Sequence, residues 1–243
     1  LDSDDTWYPS KLERVAEAIR EDPDVGLLCH DQDLLRMGRV ARRTQYGPPP
    51  GFHGSMFDMV LFIGNGPSTS ATVVARQQLD QVGLFSEDPD HITVEDYDLW
   101  LNLSKVCRFR FIGEILGTHY YHAASISAKV ELHLRNSLIV LDKHCRPLRD
   151  SPGLFPKGAI RRRYAKAFYG AARQSQRNAA ENQPQGKGGF AKALGYYARC
   201  LRTDPTYVKA LPGLALLFAD LFLGQARRRK IAQAVWGPSW RWG

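Results

Sequence analysis

Three carboxylates stand within four residues in the segment Leu1-Asp2-Ser3-Asp4-Asp5-Thr6-Trp7. Like charges this close repel and raise one another's pKa unless a cation or hydrogen-bond donors compensate them. Such a cluster cannot run through a packed core, so it belongs in a short turn and the neighbouring elements must accommodate it. Two roles suit an acidic turn here. An aspartate can cap the helix expected to start near Pro9. Hard oxygen ligands in a short turn also suit Mg²⁺ or Mn²⁺, ions that keep waters and bind substrate phosphates. One aspartate is enough for a cap; three favour metal–phosphate binding.

At 243 residues, 44% hydrophobic and 11% aromatic, the composition is that of a globular protein and excludes a disordered chain. Cys29, Cys107, Cys145 and Cys200 are scattered with no CxxC, which predicts free or buried thiols in a reducing compartment. No signal peptide is expected, because residue 1 already belongs to a motif-like segment. The net charge of +8 conceals an asymmetry. Residues 1–142 carry 13 Lys and Arg against 21 Asp and Glu, a balance of −8; residues 143–243 carry 20 against 4, a balance of +16. The split predicts an acidic, metal-dependent domain over 1–142 and a basic helical extension over 143–243 that faces an anionic surface.

Leu12, Val15, Ala16 and Ile19 recur at helical spacing and predict a helix from Pro9 to Arg20. Val25–His30 reads as a buried strand, with Asp31-Gln32-Asp33 at its C-terminal end, where α/β sheets place ligands. Residues 36–51, basic and then rich in Gly and Pro, read as an exposed loop. Met56–Ile63 reads as one or two helical turns, Gly64–Ser70 as a small-residue loop and Ala71–Ala75 as a strand. A short helix over Arg76–Val82 ends at Gly83, and a loop over Asp88–Thr93 leads into a helix over Val94–Leu103. Phe109–Ile112 and Ile115–Tyr121 alternate as strands. A helix runs from Ser127 to Leu141, and Pro147, Pro152 and Pro156 mark a linker. Helices follow over Ala159–Ala180, Phe190–Leu201 and Tyr207–Leu223.

Three further constellations could carry chemistry. Glu95-Asp96-x-Asp98 is an acidic entry to an apolar helix; it complements the helix dipole, or it places a carboxylate beside a hydroxyl as general base. His119 and His122 lie on opposite faces of a strand and cannot jointly hold one ion, so one of them at most is a ligand or phosphate contact. The Gly64–Ser70 loop, by its small residues, permits close backbone approach.

The order of these pieces is more specific than any one of them: LDSDD-x-W-x-x-x-KLE, then N-x-x-x-x-S-x-x-V-V-x-R, L-x-x-V-G-L-F, EDYDLWL, and a strand ending in H with S-x-S. Together they resemble the family 2 glycosyltransferases with the GT-A fold, over Leu1–Glu13, Asn65–Phe85, Glu95–Leu103 and Phe111–Ser127. The resemblance implies an α/β, GT-A-like fold with a Rossmann-like mixed sheet. It also implies that this is the second half of a catalytic domain, lacking the N-terminal nucleotide-binding half, followed by an α-helical region. Asp2-Ser3-Asp4 matches the family's DxD, so Asp2 and Asp4 would bind Mg²⁺ or Mn²⁺ and the nucleotide diphosphate. Asp96 matches the catalytic base of this inverting family. His122 matches a histidine that reaches metal or diphosphate, and Glu95, Asn65 and Ser70 lie toward the acceptor. Asp98 and Trp100 are expected to brace the helix.

The implied reaction moves a sugar from a nucleotide-diphosphate donor to a hydroxyl of a saccharide or lipid-linked acceptor, in building cell-surface glycan. A non-catalytic remnant or binding module of the same fold is the competing reading, with the basic region on membrane or nucleic acid. The basic stretch lacks aromatic interleaving or a recognition-helix signature, so nucleic acid is not expected. Apolar 211–223, Arg227–Lys230 and Trp236, Trp240 and Trp242 suggest an interfacial anchor and a cytoplasmic protein peripheral to the inner face of the membrane. The competing expectation is a small helical bundle with a solvated basic face. The discriminating observation for catalysis is whether the Asp2–Asp4 turn and Asp96 converge.

Overall fold

The computed structural model describes residues 1–36, 38–64, 66–120, 129–149, 158–181 and 186–222. The chain divides into two compact units, Leu1–Ser125 and Ile126–Gly243.

The first unit is α/β, built on a mixed open sheet. In chain order it contains β1 (Thr6–Trp7), α1 (Lys11–Glu21), β2 (Val25–Arg36), β3 (Arg39–Thr44), α2 (Met56–Asp58), β4 (Thr72–Val74), α3 (Arg76–Val82), α4 (Glu95–Leu103) and β5 (Arg108–Tyr120). β2 and β5 run parallel, while β1 on β5 and both β3 and β4 on β2 are antiparallel. The sheet order is β1-β5-β2-β3. β4 pairs with Leu27–Cys29 and β3 with Gln32–Arg36, so they share successive lengths of one edge of β2.

α1 packs Val15 and Ala18 against Val25 and Leu28, with Val73 and Ile112 closing the cluster. Its inward face is not the one that the apolar spacing predicts. Lys11, Val15 and Ala18 are buried at i, i+4 and i+7, while Leu12 and Ile19 are 65% and 43% exposed. The tertiary contact that Lys11 makes, described below, fixes the rotation.

Two sequence expectations about β2 are corrected. The strand does not stop at His30 but runs on through Asp31-Gln32-Asp33, which is therefore not a ligand-facing loop. Buried Asp31 accepts the Tyr46 amide N–H at 3.0 Å, and Gln32 Oε1 accepts the Tyr46 hydroxyl at 3.1 Å. The basic stretch after it is likewise not all loop: Arg39–Thr44 folds back as an edge strand. Charged residues on an edge strand guard its unpaired backbone, and that is why the segment reads as solvated. The two strands expected around residues 109–121 are one continuous strand in which Gly113 and Glu114 bulge out, because Ile112 pairs with His30 and Ile115 with the next residue, Asp31.

The second unit holds α5 (Val130–Arg149), α6 (Ala159–Glu181), α7 (Gly186–Thr203) and α8 (Ala210–Phe222). α5 continues through Pro147, past the expected end at Leu141. α6 and α7 run antiparallel, with Gly189 against Ala179 at one end and Arg161 against Asp204 at the other. Tyr197 is fully buried and donates its hydroxyl to Gln176 Oε1 at 3.0 Å. Leu217 of α8 joins Ala172, Ala193, Tyr197 and Cys200 in this core. Ala210, Leu216 and Leu217 of α8 are buried by helix packing, while Leu211 and Phe218 stay 55% and 46% exposed. Among the described residues no helix is long and apolar enough to cross a membrane. Arg227–Lys230 and the three C-terminal tryptophans lie outside the described residues. The four cysteines are free thiols.

Candidate functional site

The acidic segment forms a turn closed by the Asp5 amide N–H donating to the Asp2 carbonyl at 3.1 Å. Its three carboxylates have different fates. Asp5 is buried; it accepts the Tyr120 amide N–H at 3.0 Å and meets His119 Nδ1 at 3.1 Å. It ties the turn to the end of β5. Asp2 and Asp4 stay exposed. None of them caps α1, whose N-cap residue is Ser10 with no side-chain capping bond. The capping role is therefore replaced by one structural carboxylate and two that face solvent.

Between the acidic turn and α4 lies Thr69-Ser70, part of a 3₁₀ turn over Thr69–Ala71. Ser70 is fully buried and is gripped from several sides. Its Oγ accepts the Asp2 amide N–H at 3.0 Å. Its carbonyl accepts the Trp7 indole N–H at 2.7 Å and the Lys11 ammonium at 3.1 Å. One residue earlier, the Thr69 hydroxyl donates to Asp96 Oδ2 at 3.4 Å. Two carboxylate-bearing segments that are distant in sequence thus converge on one dipeptide.

α4 presents Asp96 from its first turn, behind Val94 as N-cap. Leu99, Trp100, Leu101 and Leu103 are buried and hold the helix on the unit, with Phe85 edge-on to Trp100 at 6.1 Å. Asp98 is also buried, and Asn102 reaches it at 3.4 Å; both Asp98 and Trp100 brace the helix as expected. Just before it, Thr93 takes φ 77°, a conformation that costs a β-branched residue free energy. Asp96 Oδ1 also accepts the Tyr97 amide N–H at 2.7 Å. Burial pushes the Asp96 carboxyl up to about 6, and the charges of Glu95 and Asp2 add to the rise; the bonds from Tyr97 and Thr69 oppose it. Repulsion from Asp2 registers because the two carboxylates share this corner of the unit. Glu95 Oε2 is buried beside it with no hydrogen-bond partner.

Of the residues singled out from the sequence, Asp2, Ser70, Glu95 and Asp96 are gathered here, with Asp4 on the same turn as Asp2. His122 and Asn65 lie outside the described residues. Among the described residues no three His, Cys, Asp or Glu side chains group closely enough to hold a metal ion by themselves. The donor chemistry of Asp2 and Asp4 nonetheless fits Mg²⁺ or Mn²⁺. They are exposed carboxylates on one turn, hard oxygen donors, and Mg²⁺ commonly takes one or two protein carboxylates and completes its shell with water and substrate phosphates.

Sequence reasoning missed Lys11, Trp7 and Thr69 as parts of this corner. Lys11 and Trp7 were visible in the DD-x-W-x-x-x-KLE pattern, but a lysine at a helix start reads as solvated. Thr69 had no signal of its own. No protein-family model matches the chain, and the search of curated proteins gives no match.

Proposed function

We propose that the first unit is the second, acceptor-side half of a GT-A-type catalytic domain, the half that supplies the metal-binding turn and the base for inverting transfer of a sugar from a nucleotide-diphosphate donor to an acceptor hydroxyl. The observation that carries this reading is the meeting of the Asp2–Asp5 turn and Asp96 at Thr69-Ser70. A leaving-group site and a base must sit on either side of one reacting carbon, within near-attack reach.

Asp96 is the general base. It accepts the proton of the acceptor hydroxyl as that oxygen bonds to the sugar's anomeric carbon. The bond from that carbon to the diphosphate breaks, and its electron pair leaves with the nucleotide. A carboxylate titrating at about 6 is ionised at neutral pH, yet more basic than a solvated aspartate. Glu95, with its buried unpartnered oxygen, offers an acceptor to a sugar hydroxyl beside the base. Asp2 and Asp4 would hold a divalent ion, which when bound would supply Lewis acidity toward the charge of a departing diphosphate.

The test is transfer from a panel of nucleotide sugars in the presence of Mg²⁺ or Mn²⁺, by the chain joined to a nucleotide-binding half. Asp96→Asn is expected to lower transfer about 10²- to 10⁴-fold while Mn²⁺ binding at the Asp2–Asp4 turn persists. Activity of the wild type should rise with pH through about 6, as Asp96 loses its proton. Intact transfer in Asp96→Asn would overturn the base assignment.

A further inference from the structure

We propose that Lys11 is a positioning residue: its buried ammonium, together with the Trp7 indole, clamps the Ser70 carbonyl and so holds Asp2 and Asp96 in register with each other. The inference rests on the reading of these two carboxylates as one site, and it assigns the device that keeps them together.

Lysine is among the residues least often buried without an ionic partner. Lys11 is fully buried at the first position of α1, where the helix dipole also disfavours a cation. Packing alone would be served better by a leucine or methionine, which carries no desolvation cost. What the ammonium obtains is specific. It donates to the Ser70 carbonyl at 3.1 Å and lies 3.6 Å from the centroid of the Trp7 ring, the cation–π geometry that suits a desolvated cation. Trp7 in turn donates its indole N–H to the same carbonyl at 2.7 Å. Two donors on one carbonyl fix the Ser70 peptide.

From that peptide the hydrogen bonds run outward in both directions. Ser70 Oγ takes the Asp2 amide N–H, and the Thr69 hydroxyl reaches Asp96. The clamp also explains why α1 turns Lys11 inward and leaves Leu12 exposed. Burial lowers the ammonium to about 8, with Cys29 and His30 the titratable groups that sense its charge, so it remains charged at neutral pH.

The experiment uses the whole chain, labelled for NMR, without substrate. The readouts are the Trp7 indole proton and the carboxyl titrations of Asp96 and Glu114, compared in wild type, Lys11→Met and Trp7→Phe. In Lys11→Met the indole signal moves upfield as the clamp loosens. The Asp96 midpoint falls from about 6 toward the ordinary value of about 4. The direction follows from the larger cause: burial raises Asp96 more than the Thr69 bond lowers it, so rehydration lowers the midpoint. Glu114 is the control. It is held low by Arg14, which also sits on α1, so a general loss of α1 packing would move Glu114 as well.

A drop in the Asp96 midpoint with Glu114 unmoved supports the clamp. An Asp96 midpoint that stays at about 6, or one that moves together with Glu114, overturns it. If Lys11→Met does not fold, Trp7→Phe decides: it keeps the ring under the ammonium and removes one donor, so the Asp96 midpoint must fall part of the way. No substrate enters these titrations. A clamp that holds while no nucleotide sugar is turned over therefore refutes only the transferase reading, and turnover with an unmoved Asp96 refutes only the clamp.

Discussion

Asp96→Asn is expected to stabilise the first unit at neutral pH while abolishing the chemistry proposed for it. The reason is the environment of the carboxyl. Its titration midpoint moves from the ordinary 3.8 to about 6 on folding, which corresponds to about 3 kcal/mol. Asp96 retains some exposure, and solvent screening trims the figure to about 2–3 kcal/mol. The sign is that of a raised acid. Between 3.8 and about 6 the folded chain holds a proton that the unfolded chain has released, so stability falls as pH rises through that window. Asparagine does not titrate and escapes this loss. It does surrender one carboxylate oxygen that accepts from Tyr97 or Thr69, a constant cost of about 1 kcal/mol. The variant should therefore be about 1–2 kcal/mol more stable than wild type at pH 8 and about 1 kcal/mol less stable below pH 4. Urea unfolding followed by fluorescence of Trp7 and Trp100, at intervals from pH 4 to pH 8, measures the difference directly. A difference between variant and wild type that does not change over this range would refute the burial argument, and with it the case for a tuned base.

Other substitutions test the scaffold around the site. A Cβ at Gly117 would lie 2.7 Å from the Thr6 carbonyl of β1, so Gly117→Ala should cost about 1–3 kcal/mol and speed amide exchange across Thr6–Trp7. Asp5→Ala leaves the Tyr120 amide N–H without its buried acceptor and should cost about 1–3 kcal/mol in thermal unfolding. Asp4→Ala, on the exposed side of the same turn, should stay within about 0.5 kcal/mol of wild type while abolishing Mn²⁺ binding measured by calorimetry. Thr93→Gly relieves a β-branched residue at φ 77° and should raise stability by about 1 kcal/mol, read as an increased melting temperature.

The sequence by itself determined the α/β alternation of the first unit, the helices over Arg76–Val82 and Glu95–Leu103, and the helical character of the second unit. These rest on periodicity and on local signals such as Gly83, which closes α3 at φ 94°. Clustered carboxylates, costly wherever the chain goes, singled out the Asp2–Asp5 turn, whereas Asp96 was singled out by the order of motifs that resembles the glycosyltransferases. Tertiary structure decided what each carboxylate does. Asp5 differs from Asp2 and Asp4 only because β5 ends beside it and offers the Tyr120 amide and His119. Charged residues on β3 read as loop because an edge strand, half unpaired, shows no alternation that burial would impose. Lys11 was illegible for the same kind of reason: nothing within a turn of helix reveals that a carbonyl 59 residues away waits for its ammonium. Local sequence reports a residue's cost, and only the folded chain supplies the partner that offsets it.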